Sequence, residues 1–289
     1  MSKTGAKLLL LSVFAARGIS FLFSKTLMLS MDPLNVLAVR FLTAFVLLAV
    51  IFFKKLLRCS RKSLQGGLIL GVLYTVCMLF EMYGLRHIDS GVSALIENMA
   101  IVLVPIYLAV YRRTLPDQKT MICAVLAVTG VGFLSLTQFG QESALLGVLL
   151  AICAALTFAL CIIATANVTQ DADPITEGVI QIGVMGALSA ILALLTGSFA
   201  LPQSGQQWLM LLLLAVICSC FGFVFQPVGQ KYLPADTAAV FTVINPLTAS
   251  LMGILAAHEA FTPLKLIGYL LILGTLVFYN LPTGRKNGQ

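Results

Sequence analysis

The sequence predicts an all-α integral membrane protein with ten transmembrane helices, and two features carry that prediction. First, 60% of the 289 residues are hydrophobic, only 10% are charged, and the mean hydropathy is +1.02, whereas soluble domains carry about 25% charged residues. Second, apolar runs of about twenty residues, the length that crosses a bilayer, recur along the whole chain. Because so few charges cannot give the protein a surface that water solvates, lipid must be the solvent for most of it.

The apolar runs place the individual helices. Their connections are often a single turn, as at Asp32-Pro33 and at Leu233-Pro234. The first run is too long for the apolar part of a cleaved signal peptide, so we expect it to remain as a helix. The ten predicted spans are residues 6–30, 34–53, 66–86, 90–111, 118–136, 144–166, 175–196, 207–229, 235–256 and 263–281.

The basic residues indicate how the chain crosses the membrane. Of the 18 Lys and Arg residues, 13 fall in the termini and connections on one side, and only Arg86 and Lys265 fall in connections on the other. Because cytoplasmic loops are enriched in Lys and Arg, both termini are predicted to be cytoplasmic. The net charge of +7 is thus dispersed among short loops and does not form a patch that would bind nucleic acid.

Several classes of chemistry lack a signature in the sequence. The seven cysteines form no Cys-x-x-Cys pair, and the two histidines, His87 and His258, lie far apart. We therefore expect neither a disulfide framework nor a metal site. The sequence contains no phosphate-binding loop, dinucleotide fingerprint or metalloprotease helix. These observations predict a protein that is not an enzyme and needs no cofactor.

An internal repeat relates the two halves of the chain. Asp-Pro pairs open the second and seventh spans at Asp32 and Asp173, which are 141 positions apart. Gly130 and Gly274, in the fifth and tenth spans, are 144 positions apart. Two separations of about half the chain length indicate a duplication.

The duplication predicts two repeats, residues 1–140 and residues 141–289, with five spans each. Since five is an odd number, the second repeat must cross the bilayer in the opposite direction. Inverted repeats of this kind are typical of secondary transporters, whose binding site lies near mid-membrane between the repeats.

The whole pattern resembles the drug/metabolite transporter superfamily, specifically its EamA-type ten-helix members. The resemblance is carried by Arg40 in the second span, Pro246 in the ninth, His258-Glu259 after it, and the span that contains Gly268 and Gly274. It implies a ten-helix carrier with an inverted repeat, in the plasma membrane, that moves small organic metabolites by alternating access.

The sequence departs from that family pattern at two places. Arg17-Gly18 stands in the first span where the family commonly has Trp-Gly, and the first half has no counterpart of Glu259. A charged side chain at position 17 would change what a central cavity accepts.

Charged residues within the spans are the first candidates for the functional site. A charge in hydrocarbon costs at least ~2.5–3.5 kcal/mol, so it is seldom without a role. The five candidates all belong to the first half: Arg17, Lys25, Arg40, Glu81 and Glu97. Four of them lie about 7–11 Å below the outer end of their helix, and Arg17 lies deeper.

Two interpretations of these charges stay open. They could form structural ion pairs, Arg40 with Glu97 and Lys25 with Glu81. Alternatively, Glu97 or Glu81 faces a cavity and binds a proton or a cationic group. Glu177 and Glu259 lie near the interfaces, where we expect them to be solvated or to cap helices.

Neutral side chains complete the set of candidates. Asn245 precedes Pro246 in mid-helix, where the proline frees a backbone carbonyl that a cavity can use. Polar groups in membrane helices more often serve helix contacts, and phenylalanines more often pack. The further candidates for substrate or proton binding are Asn98, Gln226, Asn245, Tyr83, Phe158 and Phe225.

These features together predict a secondary carrier of amino acids, amines or related small solutes, with protons as the coupling ion. Ten helices suffice for a pathway through a single chain. An alternative is a carrier of quaternary ammonium compounds that uses Glu81 or Glu97 together with aromatic rings. An alternative of another class is a membrane receptor or lipid scramblase that transports no solute.

Overall fold

A computed structural model of the protein describes residues 1–115, 118–136, 143–256 and 262–280. Every secondary-structure element within these ranges is helical, which confirms the all-α class. Numbered in chain order, the helices of the first half are α1 (Lys3–Leu27), α2 (Pro33–Ile51), α3 (Phe53–Leu57), α4 (Arg61–Leu85), α5 (Ser90–Glu97), α6 (Ala100–Tyr111) and α7 (Gln118–Leu136). The α-helices of the second half are α8 (Ala144–Val168), α9 (Pro174–Leu195), α10 (Gly205–Leu213), α11 (Gly222–Gln230), α12 (Ala235–Val240), α13 (Ile244–Ala256) and α14 (Pro263–Asn280).

The helices coincide with the predicted apolar runs. Eight helical segments of the described chain are long and apolar enough to cross a membrane. Helices α7 and α14 carry shorter apolar stretches, Gln118–Leu134 and Pro263–Thr275. The structure is therefore that of a multi-pass membrane protein with eight long apolar spans, while the count of ten and the sidedness of the termini stay predictions.

The repeated Asp-Pro pairs act as helix N-caps. The Asp32 carboxylate accepts a hydrogen bond from the N–H of Leu34, and the Asp173 carboxylate accepts one from the N–H of Thr176. In both helices the proline that follows occupies the first turn. A backbone N–H there would have no acceptor within the helix, so proline costs the helix no hydrogen bond. The sequence motif thus begins α2 and α9 in the same way.

Among the residues that the structure describes, three membrane-spanning segments depart from regular α-helix. Residues 98 and 99 separate α5 from α6, where the N–H of Met99 bonds the carbonyl of Ile96 across only three residues. A π-helix, Leu214–Phe221, joins α10 to α11, and a 3₁₀ turn, Phe241–Val243, joins α12 to α13. Irregular backbone at membrane depth is tolerated where protein covers it or where it lines a cavity.

Helices of the two halves pack directly against each other, and the core lies between them. Helix α1 contacts α11 and α13, and α4 contacts α8 and α9. Gly67 and Gly71 of α4 face Ile180 and Val184 of α9, where an added Cβ would collide with those side chains. Small residues at these positions allow the helix backbones to approach closely.

Candidate functional site

The centre of the site is the guanidinium group of Arg17, which is only 3% exposed. Its Nη1 atom donates a hydrogen bond of 3.0 Å to Oε1 of Gln226. Its Nη2 atom lies 3.7 Å from Oε1 of Glu97. Arg17 on α1 and Glu97 at the end of α5 belong to the first half, and Gln226 on α11 belongs to the second. The Arg17 side chain therefore joins the two halves.

Two glycines allow other helices to approach Arg17. A Cβ atom at Gly18 would overlap the side chain of Thr248 and the backbone carbonyl of Asn245 on α13. A Cβ atom at Gly222 would lie 3.3 Å from Cγ of Arg17. Glycine at position 18 thus lets α13 cross α1 next to Arg17.

Three aromatic rings surround the guanidinium group. Its Cζ atom lies 4.7 Å from the ring centroid of Phe158, 4.9 Å from that of Phe223 and 6.0 Å from that of Tyr74. The Tyr74 hydroxyl accepts a hydrogen bond of 2.6 Å from Nε2 of Gln226. Aromatic faces attract a desolvated cation, so the rings and the amide fix the position of the arginine.

Two of the candidate carboxyl groups are buried, and one of them, Glu97, lies beside Arg17. Glu81 is 2% exposed and Glu97 is 1% exposed. Within the described part of the chain, no donor serves either oxygen of Glu97 or Oε2 of Glu81. Ionised carboxylates only accept hydrogen bonds, so these oxygens need a donor that the described residues do not supply.

Of the two interpretations left open, the structural one fails for both of its ion pairs. Arg40 donates from Nε to the hydroxyl of Ser219 at 2.7 Å and does not reach Glu97. Lys25 lies 3.5 Å from Oδ1 of Asp89 and donates to the carbonyl of Ile88, so it does not pair with Glu81. Depth along a helix follows from sequence position, but the direction of a side chain around the helix depends on tertiary packing.

Two asparagines among the candidates present unused polar groups. Asn98 donates to the carbonyl of Ala94 at 3.0 Å, while its Oδ1 has no hydrogen-bond partner among the described residues. Asn245 is fully buried, and neither atom of its amide has a partner in the same part of the chain. Its backbone lies against Gly18, next to Arg17. Buried amides without partners are expected where a ligand completes the hydrogen bonding.

Two of the predicted aromatic candidates do not join the Arg17 cluster. Tyr83 is half-buried and packs with Leu34 and Ala38, away from the centre. Phe225 is half-buried and its ring centroid lies 5.4 Å from that of Phe221. Of the three aromatic candidates, only Phe158 contacts the guanidinium group.

Sequence analysis did not select Phe223, which contacts Arg17. The available signal was its position three residues before Gln226, because residues three apart share a helix face.

Glu177 was expected to be solvated or capping, and this is wrong, because it is fully buried where α9 meets Gly66 of α4. The motif residues His258 and Glu259 lie outside the described residues.

The family of the chain is decided by a family model that matches it twice. The model of the EamA-like transporter family matches residues 3–136 and again residues 145–281. The chain belongs to the EamA-like transporter family. The double match shows two copies of the family's repeat.

Individual relatives of this family member agree with that assignment. The chain is 23% identical to the uncharacterized transporter YvbV of Bacillus subtilis, over 97% of this chain and 93% of that protein. It is 27% identical to an uncharacterized transporter of Archaeoglobus fulgidus, over 67% of this chain and 68% of that one. A solved crystal structure matches with a TM-score of 0.70 at 15% identity, over 97% of this chain and 98% of that one, which shows the fold alone.

The family, the relatives and the apolar helices agree on the class of protein. The family and these relatives are transporters, not enzymes. The EamA-like chain is therefore a transporter, and its long apolar helices make it a multi-pass protein of the plasma membrane.

Proposed function

We propose that the protein is a secondary active transporter that moves small organic solutes by alternating access between residues 1–140 and residues 141–289. In this proposal ten helices cross the membrane and both termini are cytoplasmic. The observation that carries it is the contact of Arg17 with Glu97 of its own half and Gln226 of the other. A site built from both repeats changes when one repeat moves against the other.

Two of the three segments with irregular backbone support this location for the site. The interruption after Glu97 and the 3₁₀ turn before Ile244 occur in the fourth and ninth predicted spans, which are equivalent in an inverted repeat of five plus five. Transporters of this type bind solutes where paired discontinuous helices meet. Asn98 and Asn245, with their unpartnered amide atoms, lie at these two interruptions.

The two ends of the molecule differ. A cavity of about 480 Å³ lies at the end that the basic residues predict to be cytoplasmic, and Arg112, Asn167 and Lys231 are among its lining residues. At the opposite end, Asp89 contacts Lys25 at 3.5 Å and Lys265 at 2.9 Å, which ties α1, the start of α5 and α14 together. These features fit a conformation closed at the outer end.

Amino acids, amines and related metabolites are the proposed solutes, with a proton as the coupling ion. The burial of the Glu81 and Glu97 carboxyl groups within the membrane-spanning helices supports proton coupling. A quaternary ammonium substrate fits less well. Arg17 already occupies the space between Phe158 and Phe223 that a ligand cation would need.

Solute flux into proteoliposomes tests the proposal. Purified protein is reconstituted, and a panel of amino acids, amines and carboxylates is screened by radiolabelled uptake and by solid-supported-membrane currents, with and without a pH gradient. We expect saturable uptake of at least one solute that Arg17→Gln abolishes, while the exposed Arg61→Gln variant matches the wild type. Folded protein that moves none of these solutes would contradict the proposal.

A further inference from the structure

We infer that the transported solute carries a carboxylate group, which binds the Arg17 guanidinium in exchange for Glu97. The inference rests on the proposed transport function and adds the chemical class of the substrate to it. It also assigns separate roles to Arg17, as the anchor of the solute, and to Glu97, as the group that the solute displaces.

The Arg17 guanidinium group has no hydrogen bond to its nearest carboxylate, Glu97. Of its contacts, the one with Gln226 is a hydrogen bond of 3.0 Å, whereas the Nη2 atom is 3.7 Å from Glu97, beyond hydrogen-bond range. Neither oxygen of Glu97 has a hydrogen-bond donor within the described ranges. A guanidinium group binds a carboxylate best through two parallel hydrogen bonds. The Glu97 carboxylate therefore balances the positive charge of Arg17, but it forms no hydrogen bond with the guanidinium group.

The two partners differ in how firmly they are held. The rings of Phe158 and Phe223 flank the guanidinium group, and the Gln226 amide is itself bonded to Tyr74. Glu97, in contrast, is the last residue of α5, next to the interruption of the helix. Movement at the interruption would withdraw the Glu97 carboxylate and leave Arg17 in position.

Charge balance sets what must accompany the solute. The buried centre contains two cationic groups, Arg17 and Arg40, and two carboxyl groups, Glu81 and Glu97. A solute carboxylate adds one negative charge, and an uncompensated charge in a desolvated site is costly. Compensation comes either from a proton that Glu97 takes up, or from an ammonium group of the solute itself.

These two sources of positive charge correspond to two kinds of carboxylate. A monocarboxylate would enter together with a proton from the bulk solution, which stays on a carboxyl oxygen of Glu97. A zwitterionic amino acid would place its carboxylate on Arg17 and its ammonium group on Glu97, and would need no proton. Both share the carboxylate contact that we infer.

Matched triads of solutes test the inference on the full-length protein. The triads are phenylalanine, phenethylamine and 3-phenylpropionate, and leucine, 3-methylbutylamine and 4-methylpentanoate. Thermal stabilisation in detergent and currents in proteoliposomes are measured for each compound. We expect the carboxylates to bind, with or without the ammonium group, and the amines to be inactive. Proton uptake with the monocarboxylate but not with the amino acid would identify the source of compensation.

Variants separate the role of Arg17 from that of Glu97. Arg17→Gln should weaken carboxylate binding at least ~tenfold, and Arg17→Lys should weaken it less because lysine keeps the charge but loses the planar fork. Glu97→Gln should keep carboxylate binding and lose its pH dependence. The controls, Arg61→Gln and Asp171→Asn, change exposed groups far from the centre and should behave as the wild type.

Failure of the inference is distinguishable from failure of the proposed function. If an amine without a carboxylate is transported as well as its parent amino acid, the protein is a carrier but the inference is overturned. Binding of carboxylates by Arg17→Gln with unchanged affinity overturns it as well. If no compound of the wider panel is transported, both the inference and the proposed function fail.

Discussion

Arg17 and Gln226 are joined by a hydrogen bond of 3.0 Å, although 209 residues separate them in the chain. The Gln226 amide uses its oxygen for Arg17 and its nitrogen for the Tyr74 hydroxyl, which lies 2.6 Å away. Arg17 and Tyr74, at the two ends of this series of hydrogen bonds, belong to the first half, and Gln226 between them belongs to the second. The polar network therefore crosses the contact between the two repeats.

Replacement of Gln226 should impair transport more than it impairs folding. Gln226→Ala removes the acceptor of Arg17 and the donor to Tyr74, and a buried group that loses its partner costs about 1–3 kcal/mol. We expect the apparent KM to rise while the expressed amount falls less. Initial uptake rates over a range of solute concentrations measure this, with the exposed Gln206→Ala as the control. An unchanged KM in Gln226→Ala would place the site elsewhere.

Glu97 and Arg17 should be energetically coupled, whereas Glu97 and Arg40 should not. Glu97→Gln removes the carboxylate nearest to Arg17, and removing one partner of a buried ion pair costs about 3–5 kcal/mol. The double variant Glu97→Gln, Arg17→Gln should recover much of that loss. Melting temperatures and chemical unfolding give the coupling free energy.

The matched cycle replaces Arg40, which bonds Ser219, and it should show a much smaller coupling. Equal coupling of Glu97 to both arginines would contradict the arrangement around Arg17. Uptake recorded as a function of pH in the same variants tests the proton role of Glu97. A stable Glu97→Gln protein with unchanged pH dependence would remove Glu97 from the coupling mechanism.

Gly18 should tolerate no side chain, in contrast to a glycine in open space. A Cβ atom at position 18 would overlap the Asn245 carbonyl and the Thr248 side chain, so Gly18→Ala must push α13 away from α1. We expect lower thermal stability and loss of solute binding. Gly132→Ala on α7 meets no atom within 4 Å and should stabilise the helix by about 0.4–1 kcal/mol. Thermal unfolding compares the two variants, and equal melting temperatures would contradict the close crossing.

Asp173 should stabilise the N-terminal start of α9 in a pH-dependent manner. Burial tends to raise the pKa of its carboxyl group, but hydrogen bonds from Thr176 and the nearby Lys55 outweigh burial and hold that pKa below the ordinary value of 3.8. A lowered pKa means that the stabilisation is present above the unfolded-state value and is lost as pH falls through the folded-state pKa.

Asp173→Ala should therefore cost about 0.5–2 kcal/mol of the free energy of unfolding at neutral pH. The difference in the free energy of unfolding between this variant and the wild type should shrink as the pH drops below 3.8, the ordinary pKa of an aspartate. Asp173→Asn, which keeps a capping oxygen, should lose less at neutral pH. Unfolding curves at a series of pH values measure both variants, and a pH-independent difference would contradict a role for the charge.

Both termini should be inaccessible from outside the cell. This expectation rests on the 13 basic residues on one side against two on the other. Single cysteines at positions 3 and 286, introduced into a cysteine-free protein, should react with an impermeant maleimide only after the membrane is opened. A cysteine that replaces Arg86 should react in intact cells. Labelling of either terminus from outside would reverse the predicted topology.

Much of the architecture followed from local patterns. The apolar runs located the helices, and the Asp-Pro pairs located the starts of α2 and α9, where both aspartates cap the helix. These features depend on neighbouring residues in the chain, so a single sequence contains them. The same reasoning selected Arg17, Glu97 and Gln226, because charged and amide groups at membrane depth are costly and seldom without a role.

The partners of those residues followed only from the tertiary structure. Depth along the helices made Arg40 the expected partner of Glu97, yet Arg40 turns toward Ser219 and Arg17 takes its place. Phe223 contacts Arg17 because packing brings α11 against α1. The sequence by itself determined which stretches form apolar helices and which charged groups lie along them. Tertiary packing decided which of them meet, because the rotation of each helix about its axis depends on contacts with helices far away in the chain.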